Sequence, residues 1–228
     1  MSEQSAGADN SARQDSPNAS ARLARAYLEA LRAADTAGAY RVASRAMAAG
    51  MPLAAVYQSV ITPAMHELGT LWEKGVITVA DEHAATAVTM RVLGALRPAV
   101  LGGSSAGRDT AEPRAMLAAV EGEQHVLGLR MVADLLEEIG YRAVYLGADV
   151  PTEALLQAID TFSPALLGLT ATMPDSGAEL ERIAPRLREA HPRLALLVGG
   201  QASAARQLGG TAPPVEDLRA LDQRVKAP

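Results

Sequence analysis

A small four-helix bundle followed by a doubly wound, parallel α/β sheet is the fold class this sequence predicts. Three observations carry that expectation. Residues 20–98 place apolar side chains at helical spacing, and residues 114–200 alternate short apolar runs with helical stretches. Between them lies "LGGSSAGRDTAEP" (101–113), polar and glycine-rich, the composition of a linker. The makeup agrees: 49% of residues are hydrophobic but only 3% aromatic, so the core is Ala, Leu and Val, which suits packed helices and α/β layers.

The elements can be justified in order. Residues 1–19 are Ser, Ala, Asn and Asp with little to bury, and read as a disordered tail. In "ARLARAYLEALRAAD", Leu23, Tyr27, Leu28 and Leu31 share one stripe. "AGAYRVASRAMAAG" forms a second helix ending at Gly50. "LAAVYQSVITPAMHELGTLWEKG" continues the spacing, with a bend expected at Pro63 and a stop at Gly75. Thr78 and Asp81 then stand as N-cap and N3 of a capping box, opening a fourth helix that should run to about Leu96, short of Pro98. The bundle thus spans 20–100, the linker 101–113 and the α/β domain 114–228. In the latter, runs at 115–120, 142–147, 165–170 and 194–200 have strand length, with helical stretches at 125–139, 152–161 and 177–190. That alternation predicts parallel βαβ units in a Rossmann-like (flavodoxin-like) sheet, closed by a short last strand and a helix.

The whole-chain properties narrow the function. A net charge of −5 argues against broad electrostatic binding to nucleic acid. No apolar run is long enough to cross a bilayer, no secretion signal opens the chain, and there is no cysteine for disulfides, thiol catalysis or thiolate-bound metal. A cytoplasmic protein is expected.

In an open parallel sheet, ligands bind beyond the carboxyl ends of the strands. The loops there are "EGEQHVLG", "GADVPTE", "TATMPDS" and "GGQAS". The first lacks G-x-G-x-x-G and any Lys-Ser/Thr pair, so dinucleotide and P-loop chemistry are disfavoured. It offers Glu121, Glu123, His125 and Gly128 instead. One nitrogen of His125 can ligate a metal while a carboxylate two residues earlier accepts a bond from the other, fixing the tautomer. Gly128 lets something bulky approach the backbone. The plainer reading of this loop is a surface turn with a capping acid and an incidental histidine.

Glu123-x-His125-x-x-Gly128, with "TAT" at 170–172 and "VGGQA" at 198–202, resembles the cobalamin-binding domain of corrinoid proteins. The resemblance implies that His125 is the lower cobalt ligand in place of dimethylbenzimidazole and Glu123 its hydrogen-bonded partner. It also implies that Gly128 makes room for the cofactor, and that Thr170, Thr172, Gly199 and Gly200 line a channel for the nucleotide tail. Glu123 stands where the family has Asp, so a direct bond to His125 must span an extra methylene.

Trp72 lies just before the turn at Gly75 and His83 just after Thr78, each within roughly 8 Å of that turn, so both can face one site. A core tryptophan beside a surface Glu-His pair is the plainer reading. Trp-x9-Glu-His ahead of a cobalamin domain, however, resembles the light-sensing module of CarH-type photoreceptors, repressors that use adenosylcobalamin. The resemblance implies that Trp72 packs over the adenosyl group, Glu82 contacts it, and His83 becomes the upper cobalt ligand after photolysis. Methylcobalamin is a possible substitute cofactor.

Only about 20 residues precede the bundle, where the family has a MerR-like DNA-binding domain. Either that domain was removed from this sequence or the protein is a stand-alone sensor; the composition from Met1 onward suggests a natural start. The expectation is therefore a stand-alone, non-enzymatic photosensor without direct nucleic-acid or membrane binding. It would act in transcription regulation through a light-dependent homodimer or tetramer, or through a separate transcription factor or signalling partner. The alternative is a corrinoid methyl carrier of a methyltransferase system. A response-regulator domain is disfavoured because no Asp ends the first or third predicted strand. His66 and His191 are expected to have structural roles in core or surface, and Met65, Met90 and Met173 to serve packing, with Met173 placed to touch the nucleotide tail.

Overall fold

The computed structural model describes residues 17–101 and 112–204. Most of the expected tail and of the linker, and the last strand and closing helix, lie outside them; residues 17–19, expected in the tail, are helical instead. The order is α1 (Pro17–Arg32), α2 (Thr36–Ala48), α3 (Leu53–Val56), a π turn (Tyr57–Ile61), α4 (Thr62–Glu73) and α5 (Val79–Leu101). There follow β1 (Arg114–Val120), α6 (Leu127–Glu138), β2 (Arg142–Val150), α7 (Thr152–Phe162), β3 (Leu166–Thr170), α8 (Pro174–Ala190), β4 (Ala195–Gly199) and α9 (Gln201–Ala204).

The bundle forms as the periodicity requires, with three differences of detail. Helix α1 starts at Pro17, ahead of Ser20; proline is well suited to the first helical position because its missing N–H would have had no partner there. The bend expected at Pro63 takes the form of the π turn immediately before it. Proline cannot donate to the carbonyl four residues back and its ring crowds that carbonyl, and widening the preceding turn relieves both. Helix α5 runs past Pro98 to Leu101 rather than stopping at Leu96. A proline this near the helix end removes only one bond, from Gly94. The capping box is present: Thr78 N donates to Asp81 Oδ2 at 2.8 Å and Asp81 N to Thr78 Oγ1 at 3.2 Å. The Thr78 hydroxyl and amide hold the Asp81 carboxyl below its usual range.

The four strands are parallel in the order β2-β1-β3-β4. β1 is central and almost wholly buried, so its side chains feed two cores. Ala115, Leu117 and Ala119 join α6 and the bundle in one continuous cluster. Met116, Ala118 and Val120 join α7 and α8 on the opposite face, through Leu155, Ile159, Leu180 and Leu187. The helix after β1 therefore covers one face and those after β2 and β3 the other. The chain reverses its winding between β1 and β3, and the loops leaving those two strands open a crevice at the sheet's carboxyl edge.

Polar pins fix the bundle on α6. Tyr57 Oη donates to Asp134 at 3.0 Å, and Arg97 grips Glu137 with two bonds of 2.9 and 2.6 Å. Arg130 Nε lies 3.2 Å from Asp134 Oδ1, without hydrogen-bond alignment. Burial pushes the Asp134 carboxyl upward, with Arg130 and Tyr57 opposing it.

Candidate functional site

The site is organised by Glu123, whose carboxylate is fully buried at the crevice. Its Oε1 accepts the His125 amide at 2.7 Å and lies 2.7 Å from His125 Nδ1. Its Oε2 accepts from Thr172 N at 2.5 Å, Met173 N at 3.1 Å and Ser176 Oγ at 2.7 Å. One side chain thus ties the loop after β1 to the loop after β3. Burial alone would raise its pKa, but the hydrogen bonds from Ser176, His125, Thr172 and Met173 prevail and hold it at about 2. The extra methylene of Glu over Asp does not prevent the direct bond to His125.

An ionised carboxylate only accepts, so Nδ1 of His125 donates to it and Nε2 is the ring nitrogen left to face a ligand. The imidazole is 59% exposed. His125 is therefore an oriented imidazole at the mouth of the crevice, its Nδ1 side held by Glu123.

Trp72, at the end of α4, is 47% exposed, which excludes the core reading, and Val76 and Val79 beside it are also bare. In the first turns of α5, His83 Nδ1 lies 2.6 Å from Glu82 Oε2, while Glu82 Oε1 accepts from Thr86 Oγ1 at 2.7 Å. The His83 side chain is 74% exposed. With Nδ1 against Glu82, Nε2 is the ring nitrogen turned away from the pair.

Contacts between elements locate this group relative to His125. Tyr57 meets Asp134 and Thr62 meets Met131, so α4 runs antiparallel to α6; Thr89 meets Met65, so α5 returns beside α4. At about 1.5 Å per residue, Trp72 is about 15 Å beyond Thr62, His83 about 9 Å beyond Thr89, and the start of α6 about 6 Å beyond Met131. The Trp72–Glu82–His83 end of the bundle therefore overhangs the end of the sheet from which the His125 loop emerges.

The remaining candidates divide by what surrounds them. Gly128 and Gly199 face open space where a side chain would stand. Thr170 is buried at the end of β3, paired with Ala119 and Gly199, and Thr172 contributes its amide to Glu123. Gly200 has φ +93° and would drive a Cβ into the Ala171 backbone, so its glycine is required by packing. Met173 is 49% exposed at the rim. His66 is on the bundle surface and His191 caps α8, in keeping with structural roles. Two site residues escaped the sequence reading: Ser176, the buried hydroxyl on Glu123, and Asp149, which bonds the Gly122 amide. Each sat within a loop already singled out, but nothing in spacing marks a serine or aspartate that acts through another residue.

Comparison with known proteins supplies the ligand. Residues 113–212 match the B12 binding domain, and residues 23–97 match a second B12 binding domain model, so both halves are covered. The chain is a cobalamin-binding protein. It is 34% identical over 161 residues to the HTH-type transcriptional repressor CarH of Myxococcus xanthus, which covers 70% of this chain and 51% of CarH. The chain thus spans about half the length of that relative. It is 26% identical over 164 residues to trimethylamine corrinoid protein 1 of Methanosarcina mazei, covering 71% of this chain and 75% of that one. The fold is also that of the Methanosarcina barkeri monomethylamine corrinoid protein, with a TM-score of 0.74 at 19% identity over 90% of this chain and 97% of that one.

The residues of this cobalamin-binding protein fit a cobalt corrinoid. Among the described residues no group of three or more His, Cys, Asp or Glu is arranged to hold a metal ion. A lone imidazole such as His125 suits a metal whose other positions are filled by a macrocycle. The glycines yield a test. Gly128→Leu adds a good helix former in open space, so the cobalamin-free protein should melt no lower than wild type, while cobalamin affinity falls about tenfold, ~1.4 kcal/mol. Gly200→Ala should show the opposite pattern, a lowered melting temperature before any cofactor is added. Thermal melts and spectral titration of the two variants check both. No described helix is long and apolar enough to cross a membrane.

Proposed function

We propose that this protein is a B12-dependent light sensor that binds adenosylcobalamin between its sheet edge and its bundle, and signals by a change of assembly or partner. The observation that carries this reading is the shared design of two exposed histidines. His125 and His83 each hold Nδ1 against a carboxylate, at 2.7 and 2.6 Å, and each keep Nε2 free. They stand at the same end of the molecule. A carrier needs one such imidazole; a second suits a cobalt that loses its upper ligand.

When bound, adenosylcobalamin supplies a cobalt–carbon bond that light cleaves. His125, locked by Glu123, holds the cofactor from the sheet side. Gly128 leaves room beside it, and Gly199, Thr170 and Thr172 lie at the same carboxyl edge of the sheet, at the ends of β3 and β4. Trp72, Val76 and Val79 offer an apolar cover, and Glu82 presents a polar group beside it. His83 would be a second residue able to hold the cobalt, through Nε2. Trp72 would pack against the bound group, so a change in that group would alter how the bundle rests on α6. Regulation of transcription through a separate factor fits the similarity to CarH.

A corrinoid methyl carrier is the second reading, favoured by the likeness to trimethylamine corrinoid protein 1 across 75% of that protein. One experiment separates them: absorption spectra and size-exclusion chromatography of the adenosylcobalamin complex, in the dark and after green light. A sensor shows a spectral change with a shift in elution, and His83→Ala removes the bis-imidazole spectrum. An unchanged elution volume after complete photolysis favours the carrier.

A further inference from the structure

The turn that carries the cobalt-ligating histidine is held from two sides. Toward β3 it is held by the Glu123 carboxylate. Toward β2 it is held by Asp149.

The pairing of β1 with β2 breaks at this point. Ala118 pairs with Gly147 but Val120 pairs with Val150, leaving Ala148 and Asp149 bulged out of register. Asp149 has φ +52°, a left-handed conformation that costs energy for any residue except glycine and is tolerated best by Asn and Asp. The strained bulge is matched by two bonds to the opposite turn. Asp149 Oδ1 accepts the Gly122 amide at 2.7 Å, and Asp149 N donates to the Glu123 carbonyl at 2.9 Å. Gly122, at φ +81°, makes a tight turn that Glu123 N closes onto the Val120 carbonyl. The main chain on both sides of the Gly122–Glu123 peptide is thereby clamped to β2, two residues before His125.

We infer that Asp149 is a positioning residue for the lower cobalt ligand: its clamp sets the height and tilt at which the His125 imidazole leaves the sheet edge. The inference rests on His125 as the cobalt ligand. Glu123 fixes the tautomer and the in-plane direction of the ring. Its own side chain, however, can turn about its backbone unless that backbone is held, and Asp149 holds it. Ordinary loop stabilisation would need neither the left-handed conformation nor both bonds.

The test uses Asp149→Gly and Asp149→Asn in the full chain. Glycine relieves the backbone strain and deletes the carboxylate, so the variant folds with a melting temperature near that of wild type. Its affinity for cobalamin falls about tenfold, the lower end of the cost of disturbing a ligand's supporting shell. The cobalt(II) form shows a reduced share of the nitrogen hyperfine pattern that reports imidazole ligation. Asparagine keeps the acceptor and tolerates the conformation, and restores both. In the cofactor-free protein, Gly122 amide exchange accelerates in the glycine variant only. Wild type showing the imidazole pattern, with Asp149→Gly unchanged in pattern and affinity, overturns this inference alone. Wild type binding cobalamin with no imidazole pattern overturns the His125 assignment and this inference together.

Discussion

His125→Ala leaves a folded protein that binds cobalamin about 100-fold more weakly, at or beyond the top of the range seen when only a ligand's supporting groups are lost. The side chain is mostly exposed, so its removal opens no cavity. Glu123 keeps its bonds to the His125 amide, to the loop after β3 and to Ser176, and the fold keeps its anchor. The deficit therefore appears in spectral titrations and not in thermal melts. Added imidazole should recover part of the His-on spectrum, because the missing group is a simple nitrogen donor.

Glu123→Ala has the reverse emphasis and the largest effect on stability. It strips the acceptor from the amides of His125, Thr172 and Met173 and from the Ser176 hydroxyl, at a fully buried position. Leaving such donors unpaired costs about 3 kcal/mol, a fall of about 6–12 °C in melting temperature for a chain of this size. The pH dependence follows the same residue. The folded carboxyl, at about 2, lies below its usual 4.5. Its contribution is complete above that usual value and is lost as the pH falls through about 2. Melts across this window should find wild type losing its advantage over Glu123→Ala in acid, and a constant gap would count against the role given to Glu123.

The fold was legible because each half repeats one signal. Leu23, Tyr27, Leu28 and Leu31 announce a helix face, and runs such as "AMLAAV" announce a buried strand. The capping acid Asp81 was visible for the same reason, since its partner is three residues away. Glu123, His125 and Gly128 were legible because their chemistry is local and crowded into one loop. What escaped depended on distant parts of the chain. Ser176 matters only because α8 brings it to Glu123 across β3, and Asp149 because the β1–β2 register slips beside Gly122. The π turn before Pro63 was invisible for another reason: a proline predicts a disturbance in the helix, not which turn absorbs it. Gly200 was legible as a glycine at the right edge, yet its neighbour is the Ala171 backbone.

The apolar interior that runs without interruption from Tyr57 and Leu93 through Leu129 to Leu117 has a mechanical consequence. Cap and base share one oily seam, so the cap is not a lid on a tether. Displacing it would mean dragging that oily surface across its partner and breaking Tyr57–Asp134 and Arg97–Glu137 at once.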